Sequence, residues 1–152
     1  MIVLGIDPGT RRVGYGILEA DRNNLRFIDA GILAVKSTDD ASALHEIKIL
    51  LEELIQKHKP VALGIEKLYF AKNQKTALQV AEARGVIMLA AMEHGLRIKE
   101  YGPSEVKSQL TGYGKADKKA VLKMVRLILK KPELDVIDDA SDALALAILA
   151  SR

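Results

Sequence analysis

The chain has 152 residues, 49% of them hydrophobic and 28% charged, with a formal net charge of +3 and no cysteine. That length suits a single domain with its own core, and the lack of cysteine excludes disulfides, zinc–thiolate sites and a thiol nucleophile. No apolar run reaches membrane-spanning length and no secretory signal is visible, so the expected setting is the cytoplasm, away from any membrane.

Residues 2–7 read as a buried strand that ends in Asp7, just before Pro8-Gly9-Thr10. Asp, Pro and Gly are common where strands stop, so turn chemistry alone accounts for that acid; metal or phosphate binding is the sharper reading. Residues 13–20 and 25–36 read as two further strands around the turn "DRNN", which makes an antiparallel meander. Leu44, Ile47, Leu51 and Leu54 then recur at helical spacing until Pro60 stops the helix. "VALGIEK" reads as a short strand buried on both faces, and it too ends in an acid, Glu66. Residues 74–94 form an Ala-rich helix too apolar to be a one-sided surface helix, hence either deeply buried or self-associating. "LRIKEY" reads as a fifth strand. Pro103-Ser104 starts a short helix, and residues 117–131 and 138–151 read as two more.

This order predicts an α/β layer fold with a mixed five-stranded sheet and flanking helices. Ligands of such sheets collect beyond the carboxyl ends of the parallel strands. If the strands ending in Asp7 and Glu66 are adjacent and parallel, the two carboxylates share one edge. A third acidic group, Asp138, Asp139 and Asp142, opens the last helix. Asp139 and Asp142 lie roughly 60° apart around its axis and Asp138 and Asp142 roughly 40°, so either pair shares a face and spacing does not choose between them. Helix capping accounts for one of these acids. It accounts less well for Asp142, which sits among apolar neighbours where an unpaired carboxylate is costly. Hard cations such as Mg²⁺ take oxygen ligands, and convergent carboxylates suit two ions about 4 Å apart.

Charge is unevenly distributed. Residues 103–131 carry eight basic side chains and two acids, and residues 132–152 five acids and one arginine, so a basic stretch abuts an acidic one. An anionic partner fits the basic stretch. Within it, Val121, Met124, Val125 and Ile128 make an apolar stripe, with Lys119, Lys123, Arg126 and Lys130 opposite, either a solvated face or a phosphate-binding one. Lys118 lies at the margin of the apolar side and follows a Gly-containing loop that carries Lys115, within reach of a bound phosphate. Tyr69 and Phe70 stand beside Lys72 and Lys75, a combination suited to base stacking and backbone contact; for Phe70 a place in the core is an equal reading.

"GIDPGT", "IEKLYFAKN", "ARGV", "PSEVK", "TGYGKADK" and "DDASDALALAI" occur in order and together resemble the RuvC family of Holliday-junction resolvases across nearly the whole chain. The resemblance implies a ribonuclease H-like fold, a homodimer, and cutting of four-way DNA junctions with Mg²⁺ or Mn²⁺. It implies Asp7, Glu66, Asp139 and Asp142 as metal ligands, deciding for Asp139 and leaving Asp138 as a helix cap. It also implies catalytic help from Lys107 and Lys118, stacking by Tyr69, a dimer interface on the helix at 74–93, and cooperation with RuvA and RuvB. Lys67 and Ser141 depart from the commonest family pattern without touching a proposed ligand. Three rivals remain: an ATP-binding phosphotransferase sharing the opening strand–Asp–Gly–Thr pattern, for which the chain has no second lobe; a silent DNA-binding module; and a nuclease for RNA–DNA hybrids.

Overall fold

The computed structural model describes residues 1–22, 24–69 and 74–152, apart from the side chains of 74 and 75. Three strands, β1 (Ile2–Asp7), β2 (Arg12–Asp21) and β3 (Asn24–Ala34), form the expected meander. Helix α1 (Asp40–His58), β4 (Ala62–Glu66), α2 (Gln74–Glu93), β5 (Arg97–Tyr101) and the helices α3 (Pro103–Thr111), α4 (Lys118–Ile128) and α5 (Asp138–Ala150) follow. The described strands lie in the order β3-β2-β1-β4-β5, with β4 parallel to both β1 and β5. Among the described residues no helix is long and apolar enough to cross a membrane.

Local chemistry sets the helix ends. The carboxylate of Asp39 accepts a hydrogen bond from the Ser42 N–H at 2.8 Å, and that of Asp117 from the Ala120 N–H at 2.8 Å, so each caps its helix. Pro103 opens α3, while the Glu105 side chain accepts from the Gly102 N–H at 3.1 Å. The helix predicted over 117–131 ends early: Ile128 is its last residue, and Lys130 turns left-handed at φ 54°.

Alternation along the strands divides the core between two faces. Leu4, Ile6, Leu63 and Ile65 point to the face covered by α1 and α2. Val3 and Ala62 point to the other, where α3, α4 and α5 pack. Continuing the same period, Asp7 and Glu66 belong to the α5 face.

Glycines let α5 reach that face closely. A Cβ on Gly5 would lie 1.9 Å from the Ala143 carbonyl oxygen, one on Gly14 2.2 Å from that of Asp139, and one on Gly64 2.4 Å from that of Leu146. The backbone of α5 therefore rests on a glycine floor that no larger residue would leave intact. Residues Ala143 to Ala150 of α5 are all buried as a result.

Candidate active site

Two parallel strands and one helix build the site. β1 ends at Asp7 and β4 at Glu66, and the pairing runs to Ile6 beside Ile65, which sets the two acids next to one another at the same sheet edge. α5, held down by the glycine floor, brings Asp139 and Asp142 to that edge. The crowding is legible in the protonation equilibria. Burial, followed by the charges of Asp142, Glu66 and Asp139, pushes Asp7 up to about 7. Burial and then Asp142 raise Glu66, with Lys107 and Lys118 opposing. Burial raises Asp142 as well, although Lys118 pulls the other way. Among the described residues no three of these side chains close into a finished metal cage. They line an edge that is open to solvent.

Cations stand around the acids. Lys118 donates to Asp142 at 3.3 Å and lies 3.8 Å from Asp138. Burial works to lower the Lys118 ammonium, but Asp142, Asp138 and Asp7 outweigh it and hold its pKa above the usual lysine value. Glu66, Lys107, Lys118 and Asp142 line one cleft of about 210 Å³. The position read for Lys118, along the body of the protein and not on the outer stripe, is therefore where it lies.

One expectation fails. Asp138 does not cap α5: the cap position is Ile137, with no side-chain hydrogen bond, and Asp138 sits inside the first turn facing Lys118. The basic stripe is also smaller than expected. Lys119 and Lys123 are exposed, as is Lys115 in the preceding loop. The Arg126 Nε, by contrast, is spent within the protein, donating to the Leu134 carbonyl at 2.9 Å, and Lys130 lies beyond the helix. Tyr69 is 61% exposed. Phe70, Lys72 and the Lys75 side chain lie outside the described residues.

Three arginines escaped the sequence reading. Arg11 donates to the carbonyls of Thr10 and Thr38 at 3.1 Å each and to Asp40 at 3.0 Å, pinning the loop that follows Asp7 against the start of α1. Arg12 lies 3.6 Å from Asp139. Arg84 donates to the Glu66 carbonyl at 2.9 Å and pairs with Glu100. Adjacent Arg-Arg after a strand-ending acid was the available signal for the first two; nothing in the spacing of "ARGV" located the third.

α2 is buried along one side and leaves an apolar face open on the other. Ala83, Ile87, Ala90 and Ala91 are buried against the sheet, whereas Leu78, Leu89 and Met92 are each more than half exposed. Gly85, also outward, has nothing within 4 Å of a would-be Cβ.

A mixed sheet whose central parallel strands end in carboxylates, crossed by a helix that adds two more, defines the chain as a ribonuclease H-like nuclease fold. The family model described as "Crossover junction endodeoxyribonuclease RuvC" matches residues 3–150. Relatives bearing that description are 45% identical in Heliobacterium modesticaldum, over 100% of this chain and 94% of theirs, and 46% identical in Brachyspira hyodysenteriae, over 100% and 95%. The structure of Thermus thermophilus RuvC in complex with a Holliday junction substrate superposes with a TM-score of 0.88 at 31% identity, covering 97% of this chain and 91% of that one. The chain belongs to the RuvC family.

Proposed function

We propose that the chain is an endonuclease that resolves four-way DNA junctions by paired symmetric nicks, with two Mg²⁺ ions per subunit held by Asp7, Glu66, Asp139 and Asp142 and with Mn²⁺ able to substitute. One observation carries the proposal: strand alternation and the glycine floor drive four acids to one edge, so closely that Asp7 reaches about 7. An all-oxygen donor set of concentrated negative charge fits a hard divalent cation. When bound, such ions supply an activated water and stabilise the leaving oxygen of an in-line displacement.

The residues of the chain do the rest. Asp7 and Glu66 come from β-strand ends and Asp139 and Asp142 from one helix face, so the ligand set is held by rigid elements and needs little ordering on binding. Lys118 neutralises Asp142 in the free protein; with the acids occupied, its exposed ammonium is free to hold the scissile phosphate and, with Lys107 across the cleft, to stabilise charge that develops on it. Lys115, Lys119 and Lys123 supply sequence-independent backbone affinity, and Lys72 and Lys75 are assigned to the same role. Tyr69 offers its exposed ring to a base at the opened junction.

The outer face of α2 supports a homodimer: Leu78, Leu89 and Met92 are apolar and uncovered, and Gly85 between them allows close approach of a second helix. A two-fold pair presents two sites to two symmetric strands. Cooperation with RuvA and RuvB rests on family membership alone.

The test compares a synthetic four-way junction, a linear duplex and an RNA–DNA hybrid with Mg²⁺ present. Symmetric paired nicks confined to the junction are expected. Degradation of the hybrid, or equal cutting of the duplex, defeats the proposal.

A further inference from the structure

We infer that Arg84 is a positioning residue for the nuclease site, tying α2 to the carboxyl end of β4 so that Glu66 is presented at a fixed place. The inference rests on the reading of Glu66 as a ligand, and it begins with a gap in the sheet. The Lys67 N–H donates to the Tyr101 carbonyl of β5 at 2.8 Å. Along a parallel strand the bonding groups of successive residues alternate between the two neighbours, so the N–H and C=O of Glu66 turn to the opposite side, toward β1. There the pairing stops at Ile6 beside Ile65. The next donor in line would be residue 8, and Pro8 has no N–H.

The Glu66 carbonyl is thus left without a ladder partner at the one strand end where its residue matters most. An unsatisfied acceptor in a partly buried position leaves the chain free to twist away from the sheet. Arg84 fills the gap: its Nε donates to that carbonyl at 2.9 Å. The other limb of the guanidinium pairs with Glu100 on β5, so the planar fork is fixed at both ends, and the side chain is only 17% exposed. A lysine would keep the charge beside Glu100 but has no second, rigidly placed donor for the carbonyl. Because the same helix carries the uncovered apolar face, Arg84 also makes a short mechanical link from that face to Glu66.

Partners that orient a metal ligand from behind typically change metal affinity or activity by about 10- to 100-fold when removed. In Arg84→Lys, Mn²⁺ affinity of the DNA-free protein, measured by electron paramagnetic resonance, is expected to weaken about tenfold. The Mn²⁺ concentration for half-maximal junction cutting should rise in parallel, with much of the maximal rate recovered at high Mn²⁺. Junction affinity without divalent ions should stay within about twofold. Unchanged Mn²⁺ affinity in folded Arg84→Lys overturns the inference. Should that variant melt below the assay temperature, Glu100→Gln carries the same test: it loosens Arg84 without removing its donors, and a weakening in the same direction is expected, while parent-like affinity overturns the inference. Glu66→Gln measured alongside separates the two readings. Loss of Mn²⁺ binding there, with parent-like Arg84→Lys, removes only the role of Arg84; parent-like Mn²⁺ binding in Glu66→Gln removes the site itself.

Discussion

α5 and α2 are both apolar helices, yet they meet different fates. α5 is buried from Ala143 to Ala150 because Gly5, Gly14, Gly16 and Gly64 let its backbone lie directly on the sheet, with α3 and α4 closing the other side. α2 buries Ala83, Ile87, Ala90 and Ala91 and leaves Leu78, Leu89 and Met92 in solvent, with Gly85 facing empty space. Apolar content is therefore a poor guide to which face is covered; what decides is the surface on offer opposite. The contrast has a functional side. The depth of α5 fixes where Asp139 and Asp142 stand, and the open face of α2 is what the proposed dimer would cover.

One added methyl group at a glycine beside each helix separates the two cases. Gly5→Ala drives a Cβ into the α5 backbone at Ala143, where no flexible side chain can give way. It should cost about 3 kcal/mol or more in chemical denaturation, and cutting by whatever folds should fall by at least about 100-fold, because Asp139 and Asp142 move with the helix. Gly85→Ala meets nothing, so in the isolated subunit it should stabilise by about 0.5–1 kcal/mol. Equal effects at the two positions would deny the glycine floor its role.

The open face is tested next. Leu89→Glu buries a charge in any α2–α2 contact, so sedimentation should show a monomer at micromolar concentration, with paired nicking lost and the fold retained. A variant that stays dimeric removes α2 from the interface.

A smaller effect follows from the crowding of acids in the metal-free protein. Asp7 binds its proton more tightly folded, near 7, than unfolded, near the ordinary 3.8. Between those values the native state holds more protons than the unfolded one, so stability falls as pH rises through that window and levels off above it. The loss should be on the order of 2–4 kcal/mol, clearly reduced in Asp7→Asn, where only the raised Glu66 and Asp142 still contribute, and reversed by a divalent cation. A flat profile from pH 4 to about 7.5 in the parent would contradict the geometry of the site.

Much of this was legible in the residues. Apolar runs, turn residues, helical spacing and the Pro-Ser helix start located the strands and helices, and the coincidence of acids at the ends of "VLGID" and "LGIE" foretold a shared edge once the strands proved parallel. Less was readable where a residue's job depends on what lies across from it. The glycines of "LGID", "VGYG" and "LGIE" announce close backbone approach, but not that one helix would use them all. Asp138 looked like a cap because acids favour helix starts; in the fold Ile137 holds that position and Lys118 reaches Asp138 from another helix. Arg84 was visible within "ARGV", but its partners, Glu66 and Glu100, lie 18 and 16 residues away in sequence. Only the sheet makes them neighbours.

Asp7, Glu66, Asp139 and Asp142 are proposed to hold together the metal that cuts DNA. Crystals of the parent and of Asp7→Asn, soaked in Mn²⁺ and measured at the manganese absorption edge, test it directly. Anomalous density between the ends of β1, β4 and α5 is predicted in the parent and should be missing or displaced in Asp7→Asn. That variant should still bind the junction but leave it uncut. Density elsewhere in a parent crystal whose protein cuts junctions with Mn²⁺ would rule these four acids out as the metal site.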